Sequence, residues 1–144
     1  MPRAVSLILP PTPAGSLPRQ TLSDVAEYAY AATAPCDARL IFLAGACPLA
    51  ADGTVGPVGD YAGQAARAVE NLRTALGEAG ADLGDLISTR VLVATARQED
   101  LVTAWEVYRD AMGDHAVPST LLGVTVLGYT DQLVEIEAVA AVRD

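Results

Sequence analysis

The sequence predicts an α+β fold, a mixed β-sheet with two helices packed on one face. Three observations point there. Apolar residues recur at helical spacing in two separate stretches, a β-branched run lies between those stretches, and the C-terminal run Val134-Glu135-Ile136-Glu137-Ala138-Val139-Ala140-Ala141-Val142 alternates as a strand does.

Taken in order, the first twenty residues carry Pro2, Pro10, Pro11, Pro13 and Pro18, so residues 1–23 read as an extended N-terminal arm with a short edge strand at 4–9. Residues 24–144 read as a single domain. Strands are predicted over 25–34 and 39–46, with Pro35-Cys36-Asp37 as the turn of a hairpin and Asp52-Gly53 as a further turn. From Asp60 the period changes. Ala65, Val69, Leu72, Leu76 and Ala79 recur at helical spacing, with Asp60 placed to cap the start and Gly80 to end it. Residues 86–93, Leu-Ile-Ser-Thr-Arg-Val-Leu-Val, predict a strand, and Leu101, Trp105, Tyr108 and Met112 trace one face of a second helix that stops at Gly113. Strands over 120–127 and 133–142 flank a turn at 128–131, giving the order ββαβαββ after the arm.

Alternation in the last strand points Glu135 and Glu137 to the same side, opposite Val134, Ile136, Ala138, Ala140 and Val142. Val139 and Ala141 make the glutamates' face half apolar. Partial burial on such a face raises a carboxyl pKa toward the range that a general acid or base needs near neutrality. Ile41, Leu43, Leu122, Val124 and Val126 supply more strand hydrophobicity than two helices cover, which predicts a homo-oligomer whose sheets pack together.

Composition sets the bounds. At 144 residues and 51% hydrophobic the chain can bury a substantial core. No apolar run approaches the roughly 20 residues that span a bilayer, and the apolar stretch after Arg3 is cut off by Pro10-Pro11. A cytoplasmic protein with no signal peptide and no membrane partner is expected. The net charge of −9, with 9 scattered arginines, disfavours a nucleic-acid partner and hence nuclease activity on RNA. There is no lysine, which excludes a Schiff base or pyridoxal phosphate held on a lysine of this chain, and no cofactor is expected. One histidine and two cysteines form no ligand cluster, so no metal site is expected. Cys36 and Cys47 read as reduced thiols, Cys47 as an inert one, and His115 as a residue of a surface loop.

Several segments then fall into a familiar series. Ala44-Gly45-Ala46-Cys47-Pro48 resembles a strand end of the form Ser-Gly-Gln-x-Pro, Gln64-Ala65-Ala66-Arg67-Ala68-Val69-Glu70-Asn71-Leu72 a helix with its glutamine and Asn-Leu in place, and Gly84-Asp85-Leu86-Ile87 a Gly-Asp entry to a strand. Val134-Glu135-Ile136-Glu137-Ala138 completes the order. Together these segments, over residues 24 to 142, resemble the RidA/YjgF family of small imine and enamine deaminases. The resemblance implies a chorismate-mutase-like fold and a homotrimer whose intersubunit clefts bind a small molecule.

It also implies site residues. Glu135 matches the family glutamate that positions or activates water, and is the candidate catalytic residue; Tyr30 matches a family tyrosine with a small insertion. Ala44 and Gly45 stand at the family's Ser-Gly, and Trp105 at an asparagine of the second helix. The family's substrate-carboxylate arginine, in Pro-x-Arg-Ser/Thr, falls on Thr120 of Pro118-Ser119-Thr120-Leu121, or on Ser119 with a slip of one. Losing that arginine removes a contact worth roughly 1.5–3 kcal/mol, or about one to two orders of magnitude in binding. Tyr30, Ala44, Gly45, Trp105, Ser119 and Thr120 are thus the candidate substrate-binding set, although the helical spacing of Trp105 favours a core position, and Glu137 reads as a solvated or hydrogen-bonded strand carboxylate. Two functions follow: hydrolysis of imine or enamine substrates with release of ammonia, or a catalytically silent ligand-binding or interaction protein on the same fold.

Overall fold

The computed structural model describes residues 27–144 and the strand backbone at Ser6–Ile8; the rest of the expected arm lies outside the described residues. In chain order the elements are β1 (Ser6–Ile8), β2 (Ala31–Thr33), β3 (Arg39–Phe42), α1 (Tyr61–Glu78), a 3₁₀ turn (Leu83–Asp85), β4 (Leu86–Ala94), α2 (Gln98–Met112), β5 (Ser119–Val124) and β6 (Val134–Val142).

α1 starts where the Asp60 side chain accepts a hydrogen bond from the Gly63 N–H at 2.9 Å, and ends before Gly80, whose φ of +82° suits glycine. Its buried stripe holds the predicted Ala65, Val69, Leu72 and Leu76 together with Ala68, while Ala79, predicted to continue the stripe, is the C-cap. Ahead of α2, Thr95 Oγ1 accepts from the Arg97 N–H and donates to Asp100, while Glu99 and Asp100 in the first turn and Arg109 in the last complement the helix dipole. Gly113 closes it, at a φ of +57°.

The main sheet has the order β3-β6-β4-β5. β4 and β5 run parallel, joined by α2, and the other pairs are antiparallel, so the sheet is mixed as expected. The predicted hairpin between residues 25–34 and 39–46 does not form. β2 pairs with β1, and β3 instead hydrogen-bonds to the long edge of β6, from Arg39↔Val142 to Phe42↔Val139. Short alanine-rich β2 has little to offer β3, whereas β6 offers nine residues and an apolar face.

Both helices cover one face, where Val91, Val93, Val134, Ile136, Ala138, Ala140 and Val142 meet Leu72, Leu76, Ala104 and Tyr108. Each fully buried leucine there is worth about 1.5–3 kcal/mol of removed apolar surface. The open face carries Leu40 and Phe42 of β3, Glu135, Glu137 and Val139 of β6, Arg90 and Leu92 of β4, and Thr120 and Leu122 of β5, by the alternation of the paired strands. Two expectations about exposed hydrophobicity change. Ile41 is buried in the helix-side core with Leu43 packed against it, because Arg39↔Val142 pairing turns odd-numbered β3 residues inward. β5 ends at Val124, leaving Val126 in the following loop. Phe42, 75% exposed, and Leu40, 48% exposed, take Ile41's place on the open face.

Candidate functional site

Glu135 sits on the open face of β6, opposite Leu92, and is half-buried. The loop after β3 runs beside it, since Ala46 and Ile136 exchange backbone hydrogen bonds of 2.7 and 3.0 Å. That pairing lays Gly45 against the glutamate so closely that a Cβ on residue 45 would stand 2.6 Å from Glu135 Cδ. Only glycine leaves room for the carboxyl group there.

The thiol of Cys47 donates to Glu135 Oε1 at 3.1 Å, and buried Gln132 donates to the same oxygen at 3.4 Å and to the Val134 carbonyl at 3.1 Å. Burial pushes the Cys47 thiol up to about 11, and the hydrogen bond and negative charge of Glu135 add to it. A protonated thiol at neutral pH is a donor, not a nucleophile, in keeping with the inert thiol expected. Neither cysteine is in a disulfide.

The glutamine and asparagine of the first helix hold this region from behind. Gln64, fully buried, donates to the carbonyls of Pro57 and Asp131 at 2.9 Å each and accepts from the Leu133 N–H at 2.7 Å, fixing the entry to β6. Asn71 donates to the carbonyls of Cys47 and Leu49 at 2.7 and 3.0 Å, fixing the loop that carries Gly45 and Cys47.

The other candidates separate by face. Ala44 is exposed beside Gly45. Thr120 is exposed on the open face, next to Arg90 in the parallel ladder. Ser119 points the opposite way, into a hydroxyl triad under α2: Thr89 Oγ1 lies 2.5 Å from Tyr108 OH and 2.7 Å from Ser119 Oγ, and Tyr108 OH lies 2.8 Å from Ser119 Oγ. Trp105 is half-buried on the helix side, its ring 5.2 Å from Tyr108 and 6.1 Å from Tyr28, with its indole N–H donated to Glu27 at 2.9 Å. Tyr30 packs edge-on to Tyr28. Within one chain the sheet therefore stands between Trp105 and Glu135.

Glu137 is a hydrogen-bonded strand carboxylate. It accepts from Arg90 Nε at 2.9 Å. His115 departs from its expected surface position: it is buried, with Nε2 2.8 Å from the Leu86 carbonyl at the bulge in β4, and Nδ1 has no partner among the described residues. The turn that closes α2, with the His115 N–H bonded to the Met112 carbonyl, folds the ring back onto the core. The described residues contain no cluster of histidine, cysteine, aspartate or glutamate that would hold a metal ion, and no helix long and apolar enough to cross a membrane.

Comparison with known proteins gives the same frame. A family model described as Endoribonuclease L-PSP matches residues 20–142. A RutC family protein of Pyrococcus abyssi is 34% identical over 102 residues, 69% of this chain and 76% of that protein. The chain belongs to the RidA/YjgF family. Among solved structures, the Rid family protein YyfB of Yersinia pestis is similar with a TM-score of 0.81 at 22% identity, covering 96% of this chain and 99% of that one. The TdcF protein of E. coli, solved with bound serine, is similar with a TM-score of 0.63 at 25% identity, covering 82% of this chain and 96% of that one. The Rid fold accounts for the mixed sheet, the two helices on one face and the conspicuous open face of this member.

Sequence reasoning reached Glu135 and Gly45 but missed Cys47 and Gln132 as partners of the glutamate. Gln132 carried no signal, being one polar residue in a turn. Cys47 is adjacent to the Gly45 motif, and the strand-end pattern was the clue that its side chain lies at the site.

Proposed function

We propose that this Rid protein binds a small molecule around Glu135, in a cleft completed by neighbouring copies of a cytoplasmic homotrimer, and hydrolyses imine or enamine substrates there with release of ammonia. The observation that carries the reading is the Glu135 carboxyl group, half-buried against Gly45 with one oxygen tied to Cys47 and Gln132. Its second oxygen, Oε2, is left to handle a proton. In the reaction, water adds to the iminium carbon while Glu135 takes its proton; that proton passes to the nitrogen of the carbinolamine, and the C–N bond breaks as the hydroxyl proton returns to Glu135, so that ammonia leaves a carbonyl product. A single carboxyl group serves both steps.

The trimer is supported by the open face, where Leu40, Phe42 and Leu122 are exposed beside Val139. An apolar sheet face of this kind favours burial against another copy. Sedimentation equilibrium is expected to give three times the 14.9 kDa chain mass; a monomer would remove the intersubunit cleft.

Thr120 in place of the family's arginine favours a second reading, a protein that keeps the cleft and binds without turnover. Ammonia release from freshly generated imines, with and without a carboxylate, separates the two. Release by the wild type and its loss in Glu135→Ala support the enzyme; release that survives the substitution removes Glu135 from the mechanism, and no release from any imine leaves the binding protein.

A further inference from the structure

We infer that the cleft between the loop at residues 53–58 and the turn ahead of β6 is a second small-molecule site, and that it takes an amine, an ammonium group carried on an apolar body. Gly53, Thr54, Val55 and Val58 form one wall and Tyr129, Thr130 and Asp131 the other, around a cavity of about 430 Å³. That volume falls within the roughly 300–1,000 Å³ of small-molecule sites. Gly45, Cys47 and Gln132, which surround Glu135, do not line it.

The two walls are fastened to each other before anything binds. Fully buried Gln64 donates at 2.9 Å to the carbonyl of Pro57, next to Val58 on one wall, and at 2.9 Å to the carbonyl of Asp131 on the other. The turn is closed on itself as well, since the Gln132 side chain accepts from the Tyr129 N–H at 3.1 Å and the Gln132 N–H is bonded to the Tyr129 carbonyl at 3.1 Å. On the loop side, Asp52 accepts from the Thr54 N–H at 3.0 Å and from its hydroxyl at 2.7 Å. Walls fixed in this way lose little freedom when the cleft is filled.

The lining selects the occupant. Val58 and Tyr129 are 69% and 51% exposed, apolar surface that a ligand's hydrocarbon body would cover, and the Tyr129 ring offers a face to an aromatic group or a cation. The polar groups are acceptors. The Asp131 carboxylate has no hydrogen-bond or ion-pair partner among the described residues, the Thr130 hydroxyl has none either, and the Thr54 hydroxyl has given its proton to Asp52 and is left to accept. No arginine or histidine lines the cavity, in a chain of net charge −9. An anion would meet repulsion from Asp131, whereas a primary ammonium brings three N–H donors, no acceptor and the opposite charge.

Calorimetry and backbone-amide NMR with 2-phenylethylammonium and its uncharged counterpart 2-phenylethanol test this without requiring turnover. The wild type is expected to bind the ammonium roughly threefold or more tightly than the alcohol, with the preference narrowing as ionic strength rises to about 1 M. Amide shifts should centre on residues 53–58 and 129–131. Asp131→Asn removes the charge while keeping a residue type suited to the left-handed backbone there, at a φ of +63°, and should bring the two probes to equal affinity. Tyr129→Ala should weaken both probes, and Glu135→Ala should leave both bound as in the wild type. Equal binding of the two probes by the wild type, no measurable binding of either at millimolar concentration, or a preference that survives Asp131→Asn overturns the inference. Loss of binding in Glu135→Ala, with wild-type shifts centred on Gly45, overturns it too, by placing the amine at the glutamate.

Discussion

Gly45 and Glu135 occupy one space: the position a Cβ would take on residue 45 is 2.7 Å from Glu135 Oε2 and 2.6 Å from Glu135 Cδ. The glycine is thereby part of the definition of where the carboxylate sits, and Gly45→Ala should act on function more than on stability. The clash is with the end of a flexible side chain, so the unfolding free energy should change by no more than about 1 kcal/mol. Ammonia release should nevertheless fall as far as in Glu135→Ala, and parallel denaturation and rate measurements on the two variants check it.

Cys47 should show its raised pKa in two ways. Exposed Cys36 should react with iodoacetamide well before Cys47 at about pH 8, because the thiolate is the reactive form. The folded state also holds the Cys47 proton more tightly than the unfolded chain does, so the stability contributed by this group is complete below the ordinary thiol value of 9.0 and is lost as pH rises through about 11. Urea unfolding of the wild type should weaken over that alkaline range relative to Cys47→Ala; identical pH dependence would contradict the assignment.

Trp105 is the single tryptophan, and its indole N–H is bonded to Glu27, whose carboxyl is held below its usual range first by the Arg109 hydrogen bond and then by that of Trp105. A lowered folded-state value means that the interaction is present above the ordinary glutamate range and is lost as pH falls through the depressed one. Trp105 fluorescence should shift in that acid limb and fail to do so in Glu27→Gln. Because the Arg109–Glu27 pair is exposed, the stability at stake is small.

Ser119 and Thr120 are neighbours in sequence with opposite surroundings. Ser119→Ala removes a hydroxyl bonded to Thr89 and Tyr108 beneath α2 and should cost about 1–2 kcal/mol in denaturant unfolding. Thr120→Ala, on the exposed side, should stay within about 0.5 kcal/mol. A reversed order would mean that β5 is out of register by one residue.

Local signals carried much of this molecule. The cap at Asp60, the stripe from Ala65 to Leu76, the stop at Gly113 and the alternation of β6 each lie within a few residues of sequence, where hydrogen-bond geometry and side-chain period leave few choices. The same alternation singled out Glu135. The strand pairing was not legible in this way, because a short alanine-rich strand beside a turn looks like half of a hairpin whether or not a longer edge is available to its neighbour. That Ile41 faces the helices and that His115 is buried are likewise not legible locally, since facing and burial depend on partners that are distant in the chain.

The amino-acid sequence by itself determined the class of fold, the family and the strand alternation that singles out Glu135. Tertiary structure alone decided what surrounds that glutamate. Cys47 reaches it across 88 residues, and Arg90 stands beside Thr120 only because β4 and β5 run parallel in that register. The physical reason is that a strand's side-chain period is local, whereas the neighbours it is given are set by sheet order and register, which arise from burying the whole core at once.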